Sequence, residues 1–280
     1  MFFKVIRYDL KNGFVREFRK FIIAALIFLI LCFDFYLRSS SMRSQFNASQ
    51  STFADYLLYI FMGIIEYKPK NNDPFQFPAL WMLIMLLVLY IVLYYPYKDL
   101  MGYGKQVLIN AHSRSAWWLS KCCWLITSVA AYFLLLYGIV LLFCLVMKIP
   151  LSLHTSEYLF LFDTPPQNRV ISFPLYMNLE LFLLPFLLIT SVGLMQMFLS
   201  LIIRPLYSYC VSVTVMLAST YYLNFLMLGN YAMMLRSSRV VTNGVYVFTG
   251  LVYILILAIV SIISGLLLFR RYDILNKEQD

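Results

Sequence analysis

Six stretches of this chain are each long and apolar enough to cross a bilayer as a helix, and charge is almost absent from them. They occupy residues 21–37, 79–95, 124–147, 179–203, 206–228 and 246–269. A spanning helix needs about 20 mostly apolar residues, and an apolar run in lipid must satisfy its backbone hydrogen bonds internally. The pattern predicts an all-α polytopic membrane protein with six transmembrane helices. A membrane β-barrel would show segments of roughly ten residues with alternating polarity, and none occurs.

Composition agrees. Hydrophobic residues make up 62% of the 280 positions and charged residues 12%, against about 25% charged in soluble domains. Too little charge remains to coat a soluble surface, which excludes a soluble enzyme, a disordered chain and a secreted disulfide domain. Six spans use roughly 120 residues. The remainder is expected to form loops and interfacial helices around a single transmembrane domain, residues 1–280, with no separate soluble domain.

Lys and Arg placement predicts orientation. If both termini are cytoplasmic, fourteen of the 22 cationic residues fall on the inner side and eight on the outer side. That bias favours cytoplasmic termini, so the net charge of +9 reads mainly as a topology signal. A nucleic-acid partner would need a basic face on a soluble fold, and none is expected. Residues 1–20 do not read as a cleavable signal: the charged region is long, and no small-residue cleavage site follows the apolar run. Phe3, Ile6, Leu10, Phe14 and Phe18 recur at spacings of three and four, with Lys4, Lys11, Arg16 and Arg19 largely on other faces. An amphipathic interfacial helix on the anionic inner leaflet is expected, the alternative being a helix packed on another subunit. Residues 53–65 are short for a span. They read as an interfacial or re-entrant helix, or else as a packed loop helix, stopped by the Pro-rich stretch 68–78.

Candidate chemistry is sparse. Cys32, Cys122, Cys123, Cys144 and Cys210 contain no CxxC pair and read as small apolar residues. His112 and His154 fall in loops on opposite sides, so no metal site is expected. Gly102-Tyr103-Gly104-Lys105 lacks the spacing and following Ser/Thr of a phosphate loop, so the chain is not expected to hydrolyse ATP or to bind a cofactor of its own. Asp34 and Glu180 lie near the outer ends of their spans. Gln196 and Asn224 read as mid-span amides, either lining a cargo path or joining helices by hydrogen bonds. Pro185 and Gly193 would loosen the fourth span as a hinge or a kink.

The first inner loop, residues 97–121, is the most patterned segment. Leu100, Val107 and Leu108 have helical apolar spacing, Gly102 and Gly104 permit a tight bend, and Ser113 is placed to cap a helix beginning at Arg114. Trp117, Trp118 and Lys121 read as interfacial anchors. The loop looks built to be gripped by a partner, the alternative being an ordinary connector. The series Asp99-Leu100, Gly102-x-Gly104-x-Gln106-Val107-Leu108, Ser113-Arg114, Trp117-Trp118 and Ser120-Lys121 resembles the membrane subunits of bacterial type-2 ABC exporters. The ending Phe269-Arg270-Arg271-Tyr272-Asp273-Ile274-Leu275 is similar to theirs.

That resemblance implies a permease subunit in the bacterial cytoplasmic membrane. It implies an ATPase partner carrying ATP and Mg, and a second permease copy or homologue. Asp99, Gly102, Gly104, Gln106, Val107, Leu108, Ser113 and Arg114 would form the ATPase-coupling loop, and residues 1–20 the connecting helix. Family members often dip back into the membrane between the last two spans, where residues 229–244 leave room for only a small dip. With 24 Phe, 22 Tyr and 14 Met, the expected cargo is a hydrophobic or amphipathic peptide or a lipid-like compound, moved in export or self-immunity. A membrane sensor or scaffold for an antimicrobial-peptide response, moving nothing itself, is the alternative.

Overall fold

The computed structural model describes residues 2–46, 50–67, 75–102, 113–155, 179–241 and 243–271. It is helical throughout, and no strand forms among the described residues. The helices are α1 (Phe2–Phe46), α2 (Phe53–Phe61), α3 (Ala79–Leu93), α4 (Tyr95–Met101), α5 (Arg114–Val146), α6 (Leu179–Ile202), α7 (Pro205–Tyr221) and α8 (Val247–Arg271). Five of them, α1, α3 continued by α4, α5, α6 and α8, are long and apolar enough to cross a membrane, as a polytopic helical membrane protein requires.

The expected amphipathic N-terminal helix and first span are a single helix of 45 residues, about 67 Å long at 1.5 Å per residue. No Pro or Gly pair interrupts it. Its N-terminal half turns Val5, Asp9, Gly13 and Glu17 inward. The apolar residues Phe3 and Phe18 stay exposed, so the buried face is rotated from the one that hydrophobic spacing alone picks out. The cause is α5, which runs along α1. A methyl group at Gly13 would stand 1.9 Å from the Trp124 ring, so only glycine lets the two helices approach this closely.

Helix α3 breaks at Tyr94 and restarts as α4, with Pro96 in its first turn. The Pro ring lacks an N–H and crowds the carbonyl four residues back. By contrast, α6 passes through Pro185 and Gly193 without interruption. At Gly193 the Leu125 side chain of α5 comes close, 3.3 Å from where a methyl would stand.

Helix α2 does not present an apolar face at an interface. All its residues except Tyr59 are buried. The Phe53 and Ala54 amides donate to the Pro150 and Ser152 carbonyls at 3.1 and 3.2 Å, and the Thr52 hydroxyl donates to the His154 carbonyl at 2.6 Å. It is packed among the other helices beside the end of α5, a burial that a re-entrant helix and a loop helix share.

The fifth apolar window forms the 17-residue helix α7, at the short end of the roughly 17–25 residues a span takes. It ends at Tyr221 because the following segment, 222–245, folds back onto it. Two short 3₁₀ turns, Leu228–Ala232 and Met234–Arg236, lie there. Arg236 is completely buried. It donates to the carbonyls of Thr220 at 2.5 Å and Tyr222 at 3.2 Å, and to that of Ser219. These are carbonyls that the end of a helix leaves unbonded. It also donates to the Ile64 and Ile65 carbonyls at 2.8 and 3.4 Å, and to Asn230 Oδ1. Burial pushes the guanidinium down to about 10, opposed by the charge of Glu66, so it remains protonated at neutral pH.

Contacts define two ends of the bundle. At one, Asp9 meets Lys121, and Arg270 meets Arg114 and Ser115. At the other, Asp34 meets Tyr59, and Arg236 meets the segment after α2. The start of α1 and the end of α8 therefore lie at the same end.

Candidate coupling site

The first of these ends holds a buried charged cluster where α1, α4 and α5 meet. Lys121 and Asp9 are completely buried and Asp99 is 1% exposed. The Lys121 ammonium donates to Asp99 Oδ2 at 2.5 Å and to Asp9 Oδ1. Asp9 is held further by the Tyr95 hydroxyl, donating at 3.0 Å, and by the Ser120 hydroxyl. The Tyr95 and Trp117 rings flank the ammonium, with centroids 4.7 and 4.9 Å away. Both rings present negative π faces to the cation.

Two carboxyl groups share one ammonium. Asp9 accepts three hydrogen bonds, while Asp99 Oδ1 meets no donor among the described residues. A buried ion pair of this kind depends on its remaining hydrogen bonds, and removing one partner strands the other's charge. Within the cluster the Lys121 ammonium is engaged by both acids. Among the described residues no three His, Cys, Asp or Glu side chains gather as metal ligands. Cys32, Cys122 and Cys144 are buried thiols.

The residues expected to couple to an ATPase are distributed as follows. Asp99 belongs to the cluster. Gly102 closes α4, its amide donating to the Asp99 carbonyl at 3.1 Å. Ser113 caps α5, its hydroxyl accepting from the Ala116 amide at 3.3 Å. Arg114 donates to the Arg270 carbonyl at 2.8 Å, and Arg270 reaches back to the Ser115 hydroxyl at 3.2 Å. Gly104, Gln106, Val107 and Leu108 lie outside the described residues.

The three expected interfacial anchors are instead enclosed by protein. Trp117 stacks on Phe269 of α8, centroids 4.6 Å apart and planes 15° off parallel. Trp118 donates through Nε1 to the Ile262 carbonyl at 3.1 Å. Its ring fits because α8 carries glycine at 265, where a methyl would stand 2.0 Å away. Lys121 is the center of the cluster. The Trp118 indole points to the Ile262 carbonyl of α8 and the Lys121 ammonium to Asp9 of α1 and Asp99 of α4, whereas the buried Trp117 Nε1 finds no acceptor among the described residues.

The polar residues expected to line a cargo path or join helices do not converge. Asp34 sits at the opposite end, accepting from Tyr59 at 2.6 Å and from Arg38 at 3.0 Å. Gln196 is buried and donates to the Leu89 carbonyl at 3.0 Å, joining α6 to α3. Asn224 is not mid-span. It follows the end of α7, and its Oδ1 accepts the Leu226 amide at 3.3 Å. The Glu180 side chain lies outside the described residues.

Asp9 is the member that sequence reading missed. Its signal was the Val5, Asp9, Gly13, Glu17 repeat at four-residue spacing, a face made polar and small where an apolar face is normally sought. Arg236 is one of the eight cationic residues that the charge count places on the outer side, and no local pattern marks it as buried. No protein-family model matches the chain, and no curated protein matches it.

Proposed function

We propose that the chain is the membrane subunit of an ATP-driven exporter of the type-2 ABC kind. It sits in the bacterial cytoplasmic membrane with both termini inside and works with a separate ATPase and a second permease copy or homologue. ATP and Mg are bound on the ATPase. The cargo is a hydrophobic or amphipathic peptide or a lipid-like compound. In this reading α7 makes the sixth crossing, running from the inner end past α3 toward the outer segment closed by Arg236.

The observation that supports this reading is the way the Asp9–Lys121–Asp99 cluster brackets the inner loop. Asp99 precedes residues 103–112 and Lys121 follows them, and both are fastened to α1 through one ion cluster. A displacement of that loop by an ATPase is therefore delivered to α1, α4 and α5 together. Such a link suits a two-state membrane domain whose packing is biased by a partner's closure. The placement of the start of α1 and the end of α8 at one end of the bundle agrees with it.

The test is co-purification with an ATPase and stimulation of its turnover, followed by cargo movement in reconstituted vesicles. Leu108→Arg and Gly104→Trp should abolish stimulation. Asp9→Asn should weaken it while leaving the ATPase bound. Stimulation unchanged in all three variants would refute the coupling role, and an intact complex that moves no cargo would point to a sensor instead.

A further inference from the structure

We propose that the outward face of α3, between α1 and α7, binds one anionic phospholipid. Its headgroup phosphate is held by Lys20 and Lys98, and an acyl chain lies along Leu83.

The exposed side of α3 has the outline of such a molecule. Leu83, Leu87, Tyr90 and Tyr94 recur at helical spacing. Leu83 is 44% and Tyr90 43% exposed, while Leu87 and Tyr94 are half-buried. The stripe is aliphatic toward the middle of the bundle and phenolic near the end where α1 starts and α8 finishes. Two cations from different helices close on that phenolic end. Lys20 of α1 lies 4.8 Å from the Tyr90 centroid and 5.9 Å from that of Tyr94. Lys98 of α4 lies 5.3 Å from Tyr94. On the other side Tyr209 of α7 meets Tyr90 with centroids 6.3 Å apart.

Charge points to an anion. Lys20 also pairs with Glu17 at 2.6 Å, so Glu17, Lys20 and Lys98 together leave one net positive charge. Each ammonium has three donors, and the Glu17 contact uses one of Lys20's. Tyr rings favour the level where hydrocarbon gives way to headgroups, and juxtamembrane lysines are drawn to anionic lipid. A soluble anion would use the lysines alone. The adjoining aliphatic stripe is what selects a lipid. This site is independent of the transport reading.

The experiment uses the full chain purified in mild detergent, with phosphatidylglycerol, phosphatidylcholine and the soluble headgroup glycerophosphoglycerol as probes. Native mass spectrometry and thermal melting are the readouts. Phosphatidylglycerol should be retained at least tenfold better than phosphatidylcholine and should raise the melting temperature. Lys20→Gln with Lys98→Gln should remove that preference, whereas Lys4→Gln with Lys11→Gln, on the exposed start of α1, should change it less than twofold. Lys20→Arg with Lys98→Arg should preserve it, which separates lost binding from disturbed folding around Glu17. Equal retention of the two lipids, equal loss in both Gln pairs, or full protection by the soluble headgroup would each overturn the proposal.

Discussion

Two completely buried cations hold opposite ends of this molecule, and they do so by different means. Lys121 is gripped by two carboxylates from two other helices. Arg236 is gripped by five backbone carbonyls and one side-chain amide oxygen. The lysine joins side chains of separate helices, so its bonds can break and reform without unfolding any of them. The arginine completes backbone hydrogen bonding at the end of α7 and after α2, so its bonds are part of the chain's path. A planar guanidinium with five donors suits that task, and an ammonium does not. The contrast makes the first end the candidate for motion under the coupling reading proposed above, and the second a fixed part of the chain's path.

The largest expected effect is at the second end. Arg236→Met strands several buried carbonyls, each at a cost of about 1–3 kcal/mol. It should leave no monodisperse folded protein in size-exclusion chromatography. Arg236→Lys should rescue it only in part. Next is Lys121→Met, which leaves two buried carboxylates facing each other and should cost about 3–5 kcal/mol, read as a lowered melting temperature. Adding Asp9→Asn and Asp99→Asn to it should recover most of that loss while ATPase coupling stays impaired. A triple variant as unstable as Lys121→Met alone would break the comparison, because the first end would then be as structural as the second.

Smaller effects refine it. Gly265→Ala pushes a methyl into the Trp118 ring, an overpacking that should cost roughly 1–3 kcal/mol in thermal melting. Asp34→Asn breaks a partly exposed pair with Arg38 and should cost under about 1 kcal/mol.

Much of the architecture was legible in the residues. Apolar runs announce spans because the requirement is local: enough consecutive side chains must tolerate lipid. Ser113 as a helix cap is local too. The fifth window was misleading for a tertiary reason. Its hydropathy continues past Tyr221, but its helix stops where the chain folds back and Arg236 collects the free carbonyls. Residues 53–65 were ambiguous because a buried loop helix and an interfacial one share the same apolar content.

The sequence by itself determined that this protein is built of long apolar helices, where they run, and that the loop between the second and third apolar runs is unusual. Only the tertiary structure decided which charges are buried. Asp9 and Lys121 are separated by 112 residues, and Arg236 lies 172 residues from Ile64. Helical periodicity reports which residues share a face, but not what that face meets. A charge becomes a clamp or a cap only when another helix brings the opposite charge or the open carbonyl to it.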